Sequence, residues 1–182
     1  IYLLQEVLYS ASKHDPEVET HVAAQAIPIT TILSGLDDDY RTFNVEADLA
    51  QYFPGYHAAH HQQFLVLSRF PITQAALDDS DQYQVVDVDI NGQSLRLFNV
   101  HVVLHLEFRN PLKAPFYQAL KRRFDARTIA FDNLYNDAQN TETDYLIAGD
   151  FNSPPTMGTM GPLKNTHTDL FQYSEDKVPF TF

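Results

Sequence analysis

The sequence predicts an α/β protein with mixed sheets, and three observations lead to this fold class. A hairpin signal spans residues 86–103, a helical pattern runs from Phe116 to about Tyr135, and a further strand extends from Asp144 to Ala148. A hairpin joins antiparallel strands, whereas strands separated by a long helix usually pair in parallel. Both kinds of strand pairing are therefore expected.

Short apolar runs predict the first two strands. Residues Ile1 to Leu4 read as a short buried strand, and Phe64 to Leu67 as a second one that ends at Ser68-Arg69-Phe70-Pro71. Between them, Asp15-Pro16-Glu17 has the composition of a helix start, and we expect a helix through about Ala26. The stretch from 27 to 56 contains several Pro and Gly residues and predicts no single element.

The hairpin is the clearest local signal in the chain. Val86, Val88 and Ile90 alternate with aspartates, Asn91-Gly92 follows, and a second apolar run begins at Leu95. Asn-Gly between two strands favours a type I′ turn.

The long helix is predicted from apolar residues at helical spacing, namely Leu120, Phe124, Phe131 and Leu134. Four basic residues lie among the intervening positions: Lys121, Arg122, Arg123 and Arg127. A solvated helix face accounts for these charges better than a nucleic-acid patch does.

Composition limits the class of protein. The 182 residues are 44% hydrophobic, which predicts one domain, residues 1–182, with a sizeable core. Because the chain has no cysteine, a disulfide framework, a thiolate zinc site and a cysteine nucleophile are excluded. The net charge of −12 repels nucleic acid unless a metal or a local basic patch intervenes. No apolar run reaches the roughly 18 residues of a transmembrane helix, we expect a monomer, and nothing assigns a compartment.

Polar side chains follow the apolar runs at four strand ends: Glu6, Ser68-Arg69, Asn99-x-His101 and Asp150-x-Asn152. Catalytic groups commonly collect at such ends. Asp150 and Asn152 are two residues apart, so in an extended segment both side chains point the same way. They could then converge on one phosphate or water, although an ordinary strand-ending turn is the alternative.

Four motifs in this order resemble the endonuclease/exonuclease/phosphatase superfamily, which includes DNase I and exonuclease III. They are Leu4-Gln5-Glu6-Val7, Val66-Leu67-Ser68-Arg69-Phe70-Pro71-Ile72, Phe98-Asn99-Val100-His101 and Gly149-Asp150-Phe151-Asn152-Ser153. The resemblance implies a DNase I-like fold, a four-layer sandwich of two packed mixed β-sheets flanked by helices. It also implies a phosphodiesterase, nuclease or phosphatase that uses Mg²⁺, or Mn²⁺ or Ca²⁺ in its place.

The resemblance further implies a role for each site residue. Glu6 would bind the metal, and Asp150 would orient or deprotonate the attacking water. Asn152 would hydrogen-bond the phosphate or hold the water, and His101 would donate to a phosphate oxygen or support the catalytic groups. Asn99 and Ser68 would fix those side chains. Arg69 is expected to pair with a carboxylate rather than clamp a phosphate.

A second cluster invites a metal interpretation. His57, His60 and His61 have a plausible zinc-ligand spacing if they lie on a helix, but a polar loop at the substrate rim is favoured. The next residues, Gln62-Gln63-Phe64, depart from the family pattern, which often has a small residue there.

The resemblance also implies missing parts. We expect the chain to lack the family's first strand, with its asparagine, and the C-terminal strands, with a Ser-Asp-His motif. A fragment of a longer enzyme is favoured over a pseudoenzyme or a non-catalytic binding module on the same fold. The substrate would be a nucleic acid, a phosphorylated metabolite or a phospholipid head group.

If these parts are missing, the activity of the isolated chain should be low. The isolated 182-residue chain should hydrolyse bis-p-nitrophenyl phosphate in the presence of Mg²⁺ weakly or not at all. Turnover by this chain at ordinary enzyme rates would contradict the expectation.

Overall fold

A computed structural model of the protein describes residues 1–5, 51–104, 107, 110–154 and 157–173. Its strands form two sheets. The first sheet is antiparallel and has the order β1-β3-β2, so β3 is central. Its strands are β1 (Tyr2–Leu4), β2 (His57–His61) and β3 (Phe64–Ser68).

The second sheet is mixed. Its strands lie in chain order as β4 (Ile72–Leu77), β5 (Tyr83–Ile90), β6 (Gln93–His101) and β7 (Asp144–Asp150). β4, β5 and β6 pair antiparallel, and β7 pairs parallel to β6 after the connecting helix α1 (Ala114–Gln139). A short helix α2 (Gly161–Thr166) follows β7, between the 3₁₀ turns Gly158–Met160 and Leu170–Tyr173.

Two apolar clusters hold the layers together. One lies between the sheets, where Val66 of β3 packs with Val86, Val88 and Leu97 of the mixed sheet. The other lies on the opposite face of the mixed sheet, where Phe98 and Val100 meet the α1 face. The described residues therefore form three layers, helix on sheet on sheet, and the predicted α/β class with two packed sheets is confirmed. The described strands of the first sheet are all antiparallel, so only the second sheet is mixed.

The predicted hairpin is confirmed. β5 and β6 pair from Tyr83↔Val100 to Ile90↔Gln93, and the two turn residues both have positive φ, +56° at Asn91 and +89° at Gly92. These angles are those of a type I′ turn, whose twist matches that of the strands. Asn tolerates the left-handed region and Gly adopts it freely, which explains why these two residues occupy the turn.

The predicted long helix is confirmed, but its buried face matches the predicted one only in part. Phe131 and Leu134 are buried as expected, whereas Phe124 is 38% exposed. Arg127, which the sequence assigns to the solvated face, is fully buried. The buried stripe therefore contains a cation at its centre, between small residues such as Ala119 and Ala130.

Three further strand predictions are confirmed. The strands expected at Ile1–Leu4, Phe64–Leu67 and Asp144–Ala148 are present as β1, β3 and β7. The helix expected from Asp15 to Ala26 lies outside the described residues, as does Glu6. No helix in the part of the chain that the structure describes is long and apolar enough to span a bilayer.

The histidine segment forms strand β2 rather than a helix or a loop. Successive side chains of a strand point to opposite faces, so His60 lies on the face opposite His57 and His61. Within the described ranges, no three His, Cys, Asp or Glu side chains are grouped so that they could hold a metal ion. The helix on which the zinc interpretation depended is therefore not formed by this segment.

The contact between α1 and the mixed sheet can be tested on one helix. Leu134 is fully buried, whereas Ile129 on the same helix is 54% exposed. Leu134→Ala should lower the free energy of unfolding by about 3 kcal/mol because it leaves a cavity in the core. Ile129→Ala should change it by less than about 1 kcal/mol. Denaturant unfolding measures both values, and equal losses would contradict the layer arrangement.

Candidate active site

The carboxyl ends of β6 and β7 bring two predicted site residues side by side. The parallel register pairs His101 with Asp150 and Asn99 with Ala148. Leu97 and Leu146 lie in the core between the sheets. Because side chains alternate along a strand, Asn99, His101 and Asp150 continue on that same face. His101 and Asp150 therefore lie at one end of the space between the two sheets.

Close approach of these two strands requires glycine at position 149. Gly149 has φ +139°, and a Cβ atom there would lie 2.0 Å from the carbonyl oxygen of Val100 and 2.7 Å from its nitrogen. Any side chain would push β7 away from β6 at the residue before Asp150. The pairing of His101 with Asp150 thus depends on this glycine.

Asp150 and Asn152 are joined by a turn, which corrects the expectation that they lie on an extended segment. β7 ends at Asp150, and Asn152 has φ +46°. The Asn152 amide donates to Asp150 Oδ1 at 2.8 Å, and its side-chain Nδ2 donates to the Val102 carbonyl at 2.9 Å. Asx turns of this kind compete with further strand pairing. The exposed Asp150 carboxylate is therefore held next to Asn152 by a local hydrogen bond.

A layer of polar side chains crosses between the two sheets at the same end. Asn99, fully buried, donates to the Leu4 carbonyl at 3.0 Å and accepts a hydrogen bond from Gln5. Gln84, its neighbour across β5 and β6, is bonded through Nε2 to the Ala59 carbonyl at 3.3 Å and to His61 Nδ1 at 2.9 Å. We call this set, completed by Gln63 and His101, the inter-sheet polar layer.

Gln63 holds His101 in this layer. Its Oε1 atom lies 2.7 Å from His101 Nδ1, and the two side chains are only 6% and 7% exposed. A carbonyl oxygen can only accept, so Nδ1 carries the hydrogen in this pair. The ring orientation and the tautomer of His101 are therefore set by a residue in the turn between β2 and β3.

Ser68 and Arg69 lie at the other end of the first sheet. β3 runs from Phe64, next to the polar layer, to Ser68, a span of roughly 13 Å for five residues. There Ser68 Oγ accepts from the Phe70 amide at 3.0 Å. Arg69 Nε donates to the Tyr56 hydroxyl at 3.0 Å. The structure therefore does not bring Ser68 next to His101 and Asp150. The described contacts of Arg69 are with Tyr56, and its pairing with a carboxylate stays a prediction.

Glu6 lies outside the described residues, so its place at this site stays a prediction. The two residues before it, Leu4 and Gln5, are both bonded to Asn99. The end of β1 is therefore held at Asn99, which lies two residues before His101 on β6.

Three further residues belong to this site and were not among the predicted ones. Gln63 orients His101, Gln84 lies beside Asn99, and Arg127 approaches the Asp150–Ser153 loop from α1. Gln63 is noticeable in the sequence only as a departure from the family pattern. Arg127 is one of several basic residues on a long helix, and no local signal separates it from its exposed neighbours.

Comparison with known proteins identifies the family. The model of the endonuclease/exonuclease/phosphatase family matches residues 1–176. The chain belongs to this family. The match confirms the resemblance inferred from the four motifs. No curated protein matches the sequence significantly.

Two solved structures are similar to this chain, each with 16% sequence identity. The beta toxin of Staphylococcus aureus has a TM-score of 0.39, over 57% of this chain and 39% of its own. SmcL has a TM-score of 0.38, over 56% of this chain and 38% of its own. The matched part thus spans less than half the length of either protein.

Substitution of Gly149 tests the strand approach at the site. Gly149→Ala should lower the free energy of unfolding by about 3 kcal/mol or more, because the new methyl group meets backbone atoms that cannot move independently. Gly92→Ala is the matched control, since Gly92 also has positive φ but nothing within 4 Å of its Cβ position. We expect about 1 kcal/mol there from backbone strain alone. Equal losses in a denaturant titration would show that the contact with Val100 is unimportant.

Proposed function

We propose that this protein is a metal-dependent phosphoester hydrolase whose site lies at the carboxyl ends of β6 and β7. Membership of the endonuclease/exonuclease/phosphatase family supports phosphoester chemistry. The observation that carries the proposal is the parallel pairing of His101 with Asp150 on the face toward the first sheet. An imidazole and a carboxylate side by side at one end of a sheet are groups that can transfer protons.

In this proposal, Asp150 orients the attacking water and accepts its proton. Its carboxylate is exposed, so water and substrate can reach it. The hydrogen bond from the Asn152 amide fixes one carboxylate oxygen at 2.8 Å and leaves the other oxygen to bond the water. Asn152 contributes a polar side chain beside it, and His101 donates to a phosphate oxygen.

His101 is suited to donate because its partner is fixed. Gln63 accepts from Nδ1, so the ring presents its Nε2 edge in one orientation. A hydrogen on Nε2 would be donated to a phosphoryl oxygen and would stabilise its negative charge. Asn99 acts on the end of β1 instead, where it holds Leu4 and Gln5 in place.

A divalent cation fits the carboxylate that Glu6 provides. Carboxylate oxygens are ligands for Mg²⁺, Mn²⁺ or Ca²⁺ rather than for a soft metal. We propose Glu6 as the metal ligand, since it follows directly on the fixed end of β1. When bound, the cation supplies charge that stabilises the leaving oxygen.

The charge of the chain favours a small substrate. With 24 acidic against 12 basic residues, the protein repels a long duplex more strongly than a single phosphate group. We therefore rank a phosphorylated metabolite or a phospholipid head group above duplex nucleic acid. A binding module without turnover is the second candidate, since a fold does not fix a function.

The role of Asp150 can be separated from the general effect of charge on β7. In the full-length protein, Asp150→Asn should lower hydrolysis of bis-p-nitrophenyl phosphate at least about 100-fold, because the proton acceptor is lost. The amide keeps an oxygen for the Asn152 hydrogen bond, so the turn is retained. Asp144→Asn is the control, since Asp144 is also an exposed aspartate of β7 but lies at its other end. Equal activity in both variants would reject Asp150 as the base.

The metal is tested through Glu6. Glu6→Gln and removal of divalent cations by chelation should each abolish most of the turnover, and Mg²⁺ should restore activity only to the unsubstituted protein. Mg²⁺ titration by calorimetry gives a second measurement that does not depend on turnover. Phosphoester binding with no turnover in the unsubstituted full-length protein would favour the binding module.

A further inference from the structure

The centre of α1 carries a fully buried cation beneath the candidate site. Arg127 is 0% exposed and lies on the helix face that packs against the mixed sheet, with its guanidinium 5.7 Å from the ring centre of Phe131. Phe131 in turn stacks on Phe151 of the loop after β7. The cation is thus enclosed between the helix and the two strand ends that carry His101 and Asp150.

The guanidinium joins the two loops that leave those strands. One terminal nitrogen donates to the Val103 carbonyl at 2.5 Å, two residues after His101. The other donates to Ser153 Oγ and, at 3.4 Å, to the Phe151 carbonyl, on either side of Asn152. A planar fork with fixed donor directions suits such a bridge between separate acceptors.

Asn152 also connects the loop after β7 to the segment after β6. Its side-chain Nδ2 donates to the Val102 carbonyl at 2.9 Å, so the loop after β7 is bonded to successive residues after β6 by Asn152 and by Arg127. The backbone bond from the Val102 amide to the Asp150 carbonyl, at 3.0 Å, continues the pairing between the same segments.

Burial of this charge is costly, and packing alone does not require it. Burial lowers the pKa of the Arg127 guanidinium, and the negative charge of Asp150 partly offsets that shift. An apolar side chain of similar volume would fill the same space without loss of hydration. A buried arginine at this place is therefore explained by what its donors and its charge do at the loops.

We propose that Arg127 is a positioning residue that holds the Asp150–Ser153 loop in register with the end of β6. It touches no substrate and acts through Asp150 and Asn152. The effect on turnover rests on the proposed function, whereas the effect on loop geometry does not. Small displacements of catalytic groups cost large factors in rate, so the proposal predicts an effect on kcat.

Arg127→Lys is the main test, measured in the full-length protein. Lysine keeps the charge, but its single ammonium cannot reach both the Val103 carbonyl and Ser153 with the fork geometry of arginine. We expect kcat to fall at least about tenfold while KM changes by less than about threefold. We also expect the backbone amide of Asn152 to exchange its hydrogen faster, as measured by NMR.

Arg123→Lys is the matched control. Arg123 lies on the same helix one turn earlier and also donates to a carbonyl of the segment after β6, that of Leu104 at 3.0 Å. None of its described contacts reaches the loop after β7. Its kcat and the exchange rate of the Asn152 amide should stay unchanged. A thermal melt of both variants shows whether any loss of activity follows from partial unfolding.

The outcomes decide separate points. If Arg127→Lys fails to fold, Ser153→Ala removes one acceptor only and should change kcat and amide exchange in the same direction by smaller amounts. If the unsubstituted protein has no turnover, the proposed function fails, and the exchange rate of the Asn152 amide still decides the role of Arg127. An unchanged exchange rate and kcat in the variant that folds, or equal changes in Arg123→Lys, would overturn the proposal.

Discussion

The parallel pairing of β6 with β7 is the constraint on which the candidate site depends. Parallel strands end at the same edge of a sheet, and the register places His101 beside Asp150 at that edge. The pairing needs a long crossover, which α1 provides, and the helix covers the sheet face that the site does not use. It also needs a residue without a side chain at position 149, where the two backbones approach closely. The strand pairing that builds the sheet therefore also places the site residues.

The first, antiparallel sheet orients the site residues of the mixed sheet. His101 and Asn99 belong to the mixed sheet, but their hydrogen-bond partners, Gln63 and the end of β1, belong to the antiparallel one. Polar groups buried between sheets stabilise a fold only when they are paired. The hydrogen bonds of Asn99, Gln63 and Gln84 Nε2 therefore favour one alignment of the sheets at this end, whereas Gln84 Oε1 has no described partner. The apolar cluster between the sheets supplies most of the attraction and is less specific about alignment.

Local patterns were sufficient to predict the elements that have strong local signals. Periodicity and turn chemistry predict the Asn91-Gly92 hairpin, the long helix and the strand before Gly149. The family motifs indicate which strand ends carry site residues. The positions of Gln63 and Arg127 could not be predicted, since each depends on a residue far along the chain. Ser68 looked like a site residue because it ends a strand, yet β3 runs antiparallel to β1 and ends at the opposite edge. Asp150 and Asn152 meet through a turn because Asn adopts a left-handed conformation that an extended segment excludes.

The contacts of Asn99 have a consequence for how the protein folds. They join residues 94 and 95 positions apart in the chain, a wider separation than that of the other described hydrogen bonds. Contacts of high sequence separation cost loop-closure entropy and form late, so the end of β1 should dock only after the β5–β6 hairpin exists. A ligand held at this end binds the docked state alone and stabilises it by mass action. Substrate or metal would thereby act on the chain as a folding partner as well as a reactant.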